Sequence, residues 1–114
     1  MEGMQGLKTP FRPHGKVTAG NASPLTDGAT MLLIAGERAV KKLGLKPKMK
    51  MLSFAFAGVE PELMGIGPIP STEKALAKAG LSLDDIGLIE INEAFAIQVL
   101  SFLDHFGLSD DDPR

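Results

Sequence analysis

The stretch IEINEAFAIQ, residues 89–98, decides how the chain is read. An apolar run ends in Glu90, Ile91, Asn92 and Glu93, then a second apolar run begins at once. Alternation in the first half predicts a strand over 87–92. In the second half Phe95, Val99, Phe102, Leu103 and Phe106 recur at helical spacing, which predicts a helix over 93–106 stopped by Gly107. A strand feeding straight into a helix is the unit of an α/β fold. The neutral amide of Asn92 falls at the carboxyl end of that strand, the edge where open α/β sheets hold ligands.

The rest of the chain repeats the pattern. Ala29 to Ala35 is a short apolar run bounded by glycines and reads as a buried strand. Residues 37–43 read as a helix with Ala39, Val40 and Leu43 on one face and Gly44 as its stop. Residues 48–57 read as a strand that becomes buried toward its end. Residues 58–70 are a Pro/Gly-rich connection, and 71–79 read as a helix ended by Gly80. SLDD, residues 82–85, has capping-box spacing. Residues 1–16, rich in glycine and proline, read as irregular, and SDDDPR at 109–114 carries no structural signal. The order strand, helix, strand, helix, strand, helix predicts an α/β architecture with parallel neighbours.

At 114 residues the chain is long enough for one domain with a modest core. A net charge of -2 argues against nucleic acid or an anionic membrane surface as partner. Six phenylalanines are the only aromatic residues, so little is on offer for base stacking. There is no cysteine, which removes disulfides, thiolate metal sites and a cysteine nucleophile from these residues and fits a cytoplasmic setting. The longest apolar run, 51–59, is too short to span a bilayer.

Several motifs have competing readings. GIGPIPS, residues 65–71, has two glycines spaced as in a dinucleotide loop, but Pro70 stands where the third belongs, so a tight turn opening a helix is favoured. His14 and His105 are isolated; His105 falls where a helix dipole favours an imidazole. Neither has a metal-ligand partner at suitable spacing, and no metal site is expected. Glu90 and Glu93 are flanked by apolar residues and, if buried, need partners. Asn92 can be a helix N-cap, a job its amide does well. It can equally hold a water or donate to an oxygen gaining negative charge. TAGNAS, residues 18–23, offers small side chains and open backbone against which an extended ligand could lie, with Ser23 free to bind a ligand amide; a plain surface turn is the alternative.

Taken together, GKVTAGNASPLTDGA and GPIPSTEKALAKAGLSLDDIGLIEINEAFA resemble the thiolase family of acyl-CoA acyltransferases across residues 12–106. FAGVEPELMGIGP is closest to the degradative, 3-ketoacyl-CoA type. The resemblance implies part of an αβαβα layered sandwich, incomplete, with residues 1–45 ending the N-terminal half and 46–114 beginning the C-terminal half. It implies cleavage of 3-ketoacyl-CoA by CoA, or the reverse Claisen condensation, in fatty acid β-oxidation, with coenzyme A as substrate and no permanently bound cofactor. It implies a homo-oligomer for an intact enzyme. Asn92 matches the asparagine of the NEAF motif, which holds an oxyanion-hole water. Ser23 matches the serine touching the pantetheine arm, Ala19 and Ala94 match small residues beside that arm, and Phe95 matches a wall of the acyl site. The family's two cysteines and its GHP histidine have no match here, so these residues alone are expected to be inactive. A non-catalytic CoA-binding module and half of a split enzyme are the alternatives.

Overall fold

Glycine and proline punctuate the helices of the computed structural model, which describes residues 2–114. In chain order these are α1 (Glu2–Gln5), α2 (Glu37–Leu43), a 3₁₀ segment (Pro61–Ile66), α3 (Pro68–Ala79), a 3₁₀ turn (Leu83–Asp85) and α4 (Ala96–Phe106). Pro68 and Pro70 sit in the first turn of α3, where a missing N–H costs nothing. Helix α3 ends on Gly80 at φ 68° and α4 on Gly107 at φ 64°, a left-handed backbone that a side chain would strain. The expected box at 82–85 forms: the Asp85 carboxylate accepts from the Ser82 N–H and hydroxyl, both at 2.8 Å. The Ser82 amide, then its hydroxyl, hold the Asp85 carboxyl below its ordinary value.

Four helix and loop expectations need correction. The opening segment, read as irregular, holds the short α1. Half of the connection at 58–70 is 3₁₀, and α3 starts at Pro68 rather than Ser71. Helix α4 starts at Ala96 rather than Glu93, because Phe95 is held extended at φ -140°, ψ 139°. The acidic end is ordered by Arg114, whose guanidinium grips Asp112 at 2.9 Å and donates to the Leu83 carbonyl at 3.2 Å. The Arg114 carbonyl accepts from the Ile89 amide at 2.7 Å.

The expected strands at 29–35, 48–57 and 87–92 carry no ladder; among the described residues the β-bridge is a single antiparallel pair, Ala22 with Phe95. The strand signature is nonetheless present. From Ser53 to Glu60 exposure alternates residue by residue, with Ser53, Ala55, Ala57 and Val59 half-covered and Phe54 and Phe56 exposed. The small face lies toward α3, where the Ser53 hydroxyl donates to the Ala75 carbonyl at 2.7 Å. A strand needs a neighbour about 4.8 Å away to satisfy its amides, and the described residues supply none.

The expected core is correspondingly thin. Ile69 and Phe102 are its buried hydrophobic residues, where α3 meets α4. Phe106 packs tilted against Phe102, ring centroids 4.7 Å apart, and His105 Nε2 lies 2.9 Å from Glu73 of α3, a pairing that sequence spacing did not reveal. The accessible surface is 10158 Å², against about 6,000 Å² for a compact monomer of this mass. The radius of gyration is 18.5 Å, against about 13 Å expected.

Candidate functional site

Residues 16–23 and 92–96 are far apart in sequence and meet in space. The Ser23 amide donates to the Ala94 carbonyl at 2.9 Å, and the Ala96 amide donates to the Asn21 carbonyl at 3.0 Å. Between these bonds lies the bridge of Ala22 and Phe95. The Ser23 hydroxyl donates to the Glu93 carbonyl at 2.6 Å. A hydroxyl has one proton and two lone pairs. With its proton committed to Glu93, Ser23 faces any ligand as an acceptor, suited to an amide N–H.

This junction explains the late start of α4. Pairing with Ala22 fixes Phe95 in extended backbone, so the helix cannot begin before Ala96. The N-cap position therefore belongs to Phe95, whose side chain makes no cap bond. Asn92 is not the cap, which removes the main competing account of its amide. It is exposed, and among the described residues its side chain makes no hydrogen bond. Glu90 and Glu93 are not buried either, so neither is the carboxylate that would demand a partner. Glu93 contributes its main-chain carbonyl instead.

Beside the junction runs an open apolar groove of about 520 Å³, lined by Phe11, Val17, Leu63, Met64, Phe95 and Gln98 among others. Phe11 packs edge-on against Phe95, ring centroids 6.3 Å apart. Phe95 thus does double duty as bridge partner and groove wall, and Ala94 is half-buried next to it. Ala19 is exposed in the turn that TAGNAS makes. Of the five residues singled out in sequence, Ser23, Ala94 and Phe95 make bonds or the bridge of the junction, Asn92 stands at its edge without a bond across it, and Ala19 sits in the turn on the other side. GIGPIPS opens α3 as a turn, the reading its missing glycine favoured.

Three contributors were not singled out from sequence. Phe11 and Met64 reach the groove from segments read as irregular or as connection. Asn21 ties the TAGNAS loop together: its Oδ1 accepts from the Thr18 amide at 2.8 Å and its Nδ2 donates to the Lys16 carbonyl at 2.9 Å. The available signal was the habit of asparagine of bonding nearby backbone in turns.

The sequence and the fold are similar to those of known proteins. The family described as thiolase, N-terminal domain, matches residues 1–38, and thiolase, C-terminal domain, matches 45–112. The chain is 51% identical over 114 residues to an Escherichia coli (strain K12) 3-oxoadipyl-CoA/3-oxo-5,6-dehydrosuberyl-CoA thiolase, covering 100% of this chain and 28% of the relative. It is 49% identical to a 3-ketoacyl-CoA thiolase of Photobacterium profundum, covering 96% of this chain and 29% of the relative. The structure of human mitochondrial 3-ketoacyl-CoA thiolase in complex with CoA superposes with a TM-score of 0.89 at 45% identity, covering 97% of this chain and 28% of that one. The α/β thiolase fold is therefore present in part, which accounts for strand sequences with no ladder: the chain spans just over a quarter of the length of these relatives. On the two domain matches and the shared fold, the chain belongs to the thiolase family.

Proposed function

We propose that these residues supply the CoA-arm loop and one oxyanion donor of an acetyl-CoA acyltransferase that cleaves 3-ketoacyl-CoA with CoA, or runs the reverse condensation, in fatty acid β-oxidation. The observation that carries this reading is the pairing of residues 21–23 with 93–96 beside an apolar groove. Ser23 accepts an N–H of the pantetheine arm, Ala19 and Ala94 leave room for it, and Phe95 walls the acyl end. Asn92 holds a water against the thioester oxygen.

The chemistry explains the neutral amide. A cysteine thiolate attacks the 3-keto carbonyl, the C2–C3 bond breaks, and its electron pair passes to the thioester as an enolate. A proton donor quenches that enolate at carbon to give acetyl-CoA, and the thiol of a second CoA then takes the acyl group from the enzyme sulfur. A carboxylate at position 92 would repel the enolate, whereas an amide donates without adding charge. Such a donor is worth about 3 kcal/mol in a complete site. The sulfur must come from other polypeptide, since there is no cysteine here, and the isolated residues are proposed to be inactive. In this reading residues 1–45 end the N-terminal thiolase half and 46–114 begin the C-terminal half. The setting proposed is cytoplasmic, and the intact enzyme a homo-oligomer. No helix among the described residues is long and apolar enough to cross a membrane.

Calorimetry with CoA, wild type against Ser23→Ala, tests the reading. Heat of binding at millimolar CoA that weakens in the variant is expected; no heat from the wild type sinks it. The uncovered apolar runs favour a second reading, in which the chain is half of a split enzyme completed by a separate polypeptide. A stable monomer with sharp thermal unfolding would refute that one.

A further inference from the structure

We propose that Asn21 is a positioning residue for the site, the clamp that sets Ser23 and Asn92 in register across the junction. The inference rests on the reading of those two residues given above. The side chain of Asn21 closes the loop on itself at two points, the Thr18 amide at 2.8 Å and the Lys16 carbonyl at 2.9 Å. Its own amide donates to the Thr18 carbonyl at 3.2 Å, making a tight turn around Ala19 and Gly20. Its carbonyl faces the other way and accepts from the Ala96 amide at 3.0 Å, an N–H that helix α4 leaves without an internal acceptor. One residue therefore fixes the loop's shape with its side chain and docks the loop on α4 with its backbone.

The consequence reaches both site residues. Ser23 lies two residues beyond the clamp and bonds to Glu93 and Ala94. Asn92 immediately precedes Glu93. Release of the Asn21 side chain frees the loop to shift along 93–96, and a shift of one residue would turn Ser23 to the opposite face. No atom of the Asn21 side chain has to touch CoA for this to matter. Gly20 adds a second constraint, since a Cβ there would stand 2.8 Å from Met4 Cε and 2.9 Å from Leu7 Cδ1, so the turn has little room to rearrange toward α1.

The test is amide hydrogen exchange on the 114-residue chain, with a CoA titration followed at the Ser23 amide. Asn21→Ala is expected to speed exchange at Thr18, Ser23 and Ala96 by about tenfold, the effect of one or two net hydrogen bonds, while Gly80 and Leu81 at the end of α3 keep wild-type rates. Asn21→Asp keeps the acceptor for Thr18 and loses the donor to Lys16. It should retain protection at Thr18 and bind CoA more tightly than Asn21→Ala. Unchanged exchange at Ser23 and Ala96 in Asn21→Ala overturns the proposal. So does equal loss at Gly80 and Leu81, which would make Asn21 a general stability residue, and so does an absence of protection at Ser23 and Ala96 in the wild type. If the wild type takes up no CoA, the functional reading fails while the exchange rates still decide the clamp.

Discussion

The junction of residues 16–23 with 92–96 and the apolar run at 29–35 differ completely in what they need. The junction is polar, and its partners all lie within these 114 residues: backbone to backbone at Ser23 and Ala96, side chain to backbone at Asn21 and Ser23. The run at 29–35 is apolar on both faces, and Met31, Leu32, Leu33 and Ile34 are all at least 77% exposed. A strand apolar on both faces belongs inside a layered sandwich, covered above and below. A junction can thus be locally satisfied while its scaffold is not. Short hydrogen-bonded loops close with their own donors and acceptors, whereas a sheet layer needs neighbours that only more polypeptide can provide.

The contrast is tested most severely at the covered end. Phe102→Ala removes the most buried side chain and is expected to cost about 3 to 5 kcal/mol, read as a lower urea midpoint for loss of helical circular dichroism. Gly80→Ala comes next. The added Cβ meets nothing within 4 Å, so the penalty is the strained φ of 68° alone, about 1 kcal/mol. Ser23→Ala should cost a similar amount, about 1 kcal/mol, and should show as faster exchange at Ala96 before any global unfolding.

Acid should loosen the C-terminal hook. The Arg114 side chain, then its amide, hold the Asp112 carboxyl at about 2, down from an ordinary 3.8. A lowered folded value means the ionised form is favoured in the fold. The stabilisation is full above 3.8 and is lost as pH falls toward about 2. The Ile89 amide, which donates to the Arg114 carbonyl, should then exchange faster in that window. Smallest of all is Leu33→Lys, in the uncovered run at 88% exposure. A surface change of this kind should alter stability by less than about 0.5 kcal/mol, while reducing self-association in light scattering. A loss near that of Phe102→Ala would show that the run has a partner within the chain and would erase the contrast.

Much of this was legible in residue order. The helix stops at Gly44, Gly80 and Gly107 follow from backbone strain that only glycine escapes, and the box at 82–85 from the reach of one carboxylate to a neighbouring amide. VTAGNAS and NEAFA pointed to a family and to Ser23, Ala94, Phe95 and Asn92. The start of α4 was not legible. Periodicity favours Glu93, yet a bridge to Ala22 overrides it. Nor were the contacts of His105 with Glu73, or of Phe11 with Phe95, because each joins elements whose separation no local pattern encodes.

Residue order alone was enough for the main helices, their glycine stops and the stamp of the thiolase family, since propensity, capping and motif act over a few neighbouring residues. Three outcomes waited on the folded chain: Asn92 is not a cap, the Ser23 hydroxyl is already committed to Glu93, and the strand sequences stand without a ladder. Those outcomes depend on which distant groups arrive at hydrogen-bonding distance, and in a chain with this much uncovered apolar surface the arrivals are few.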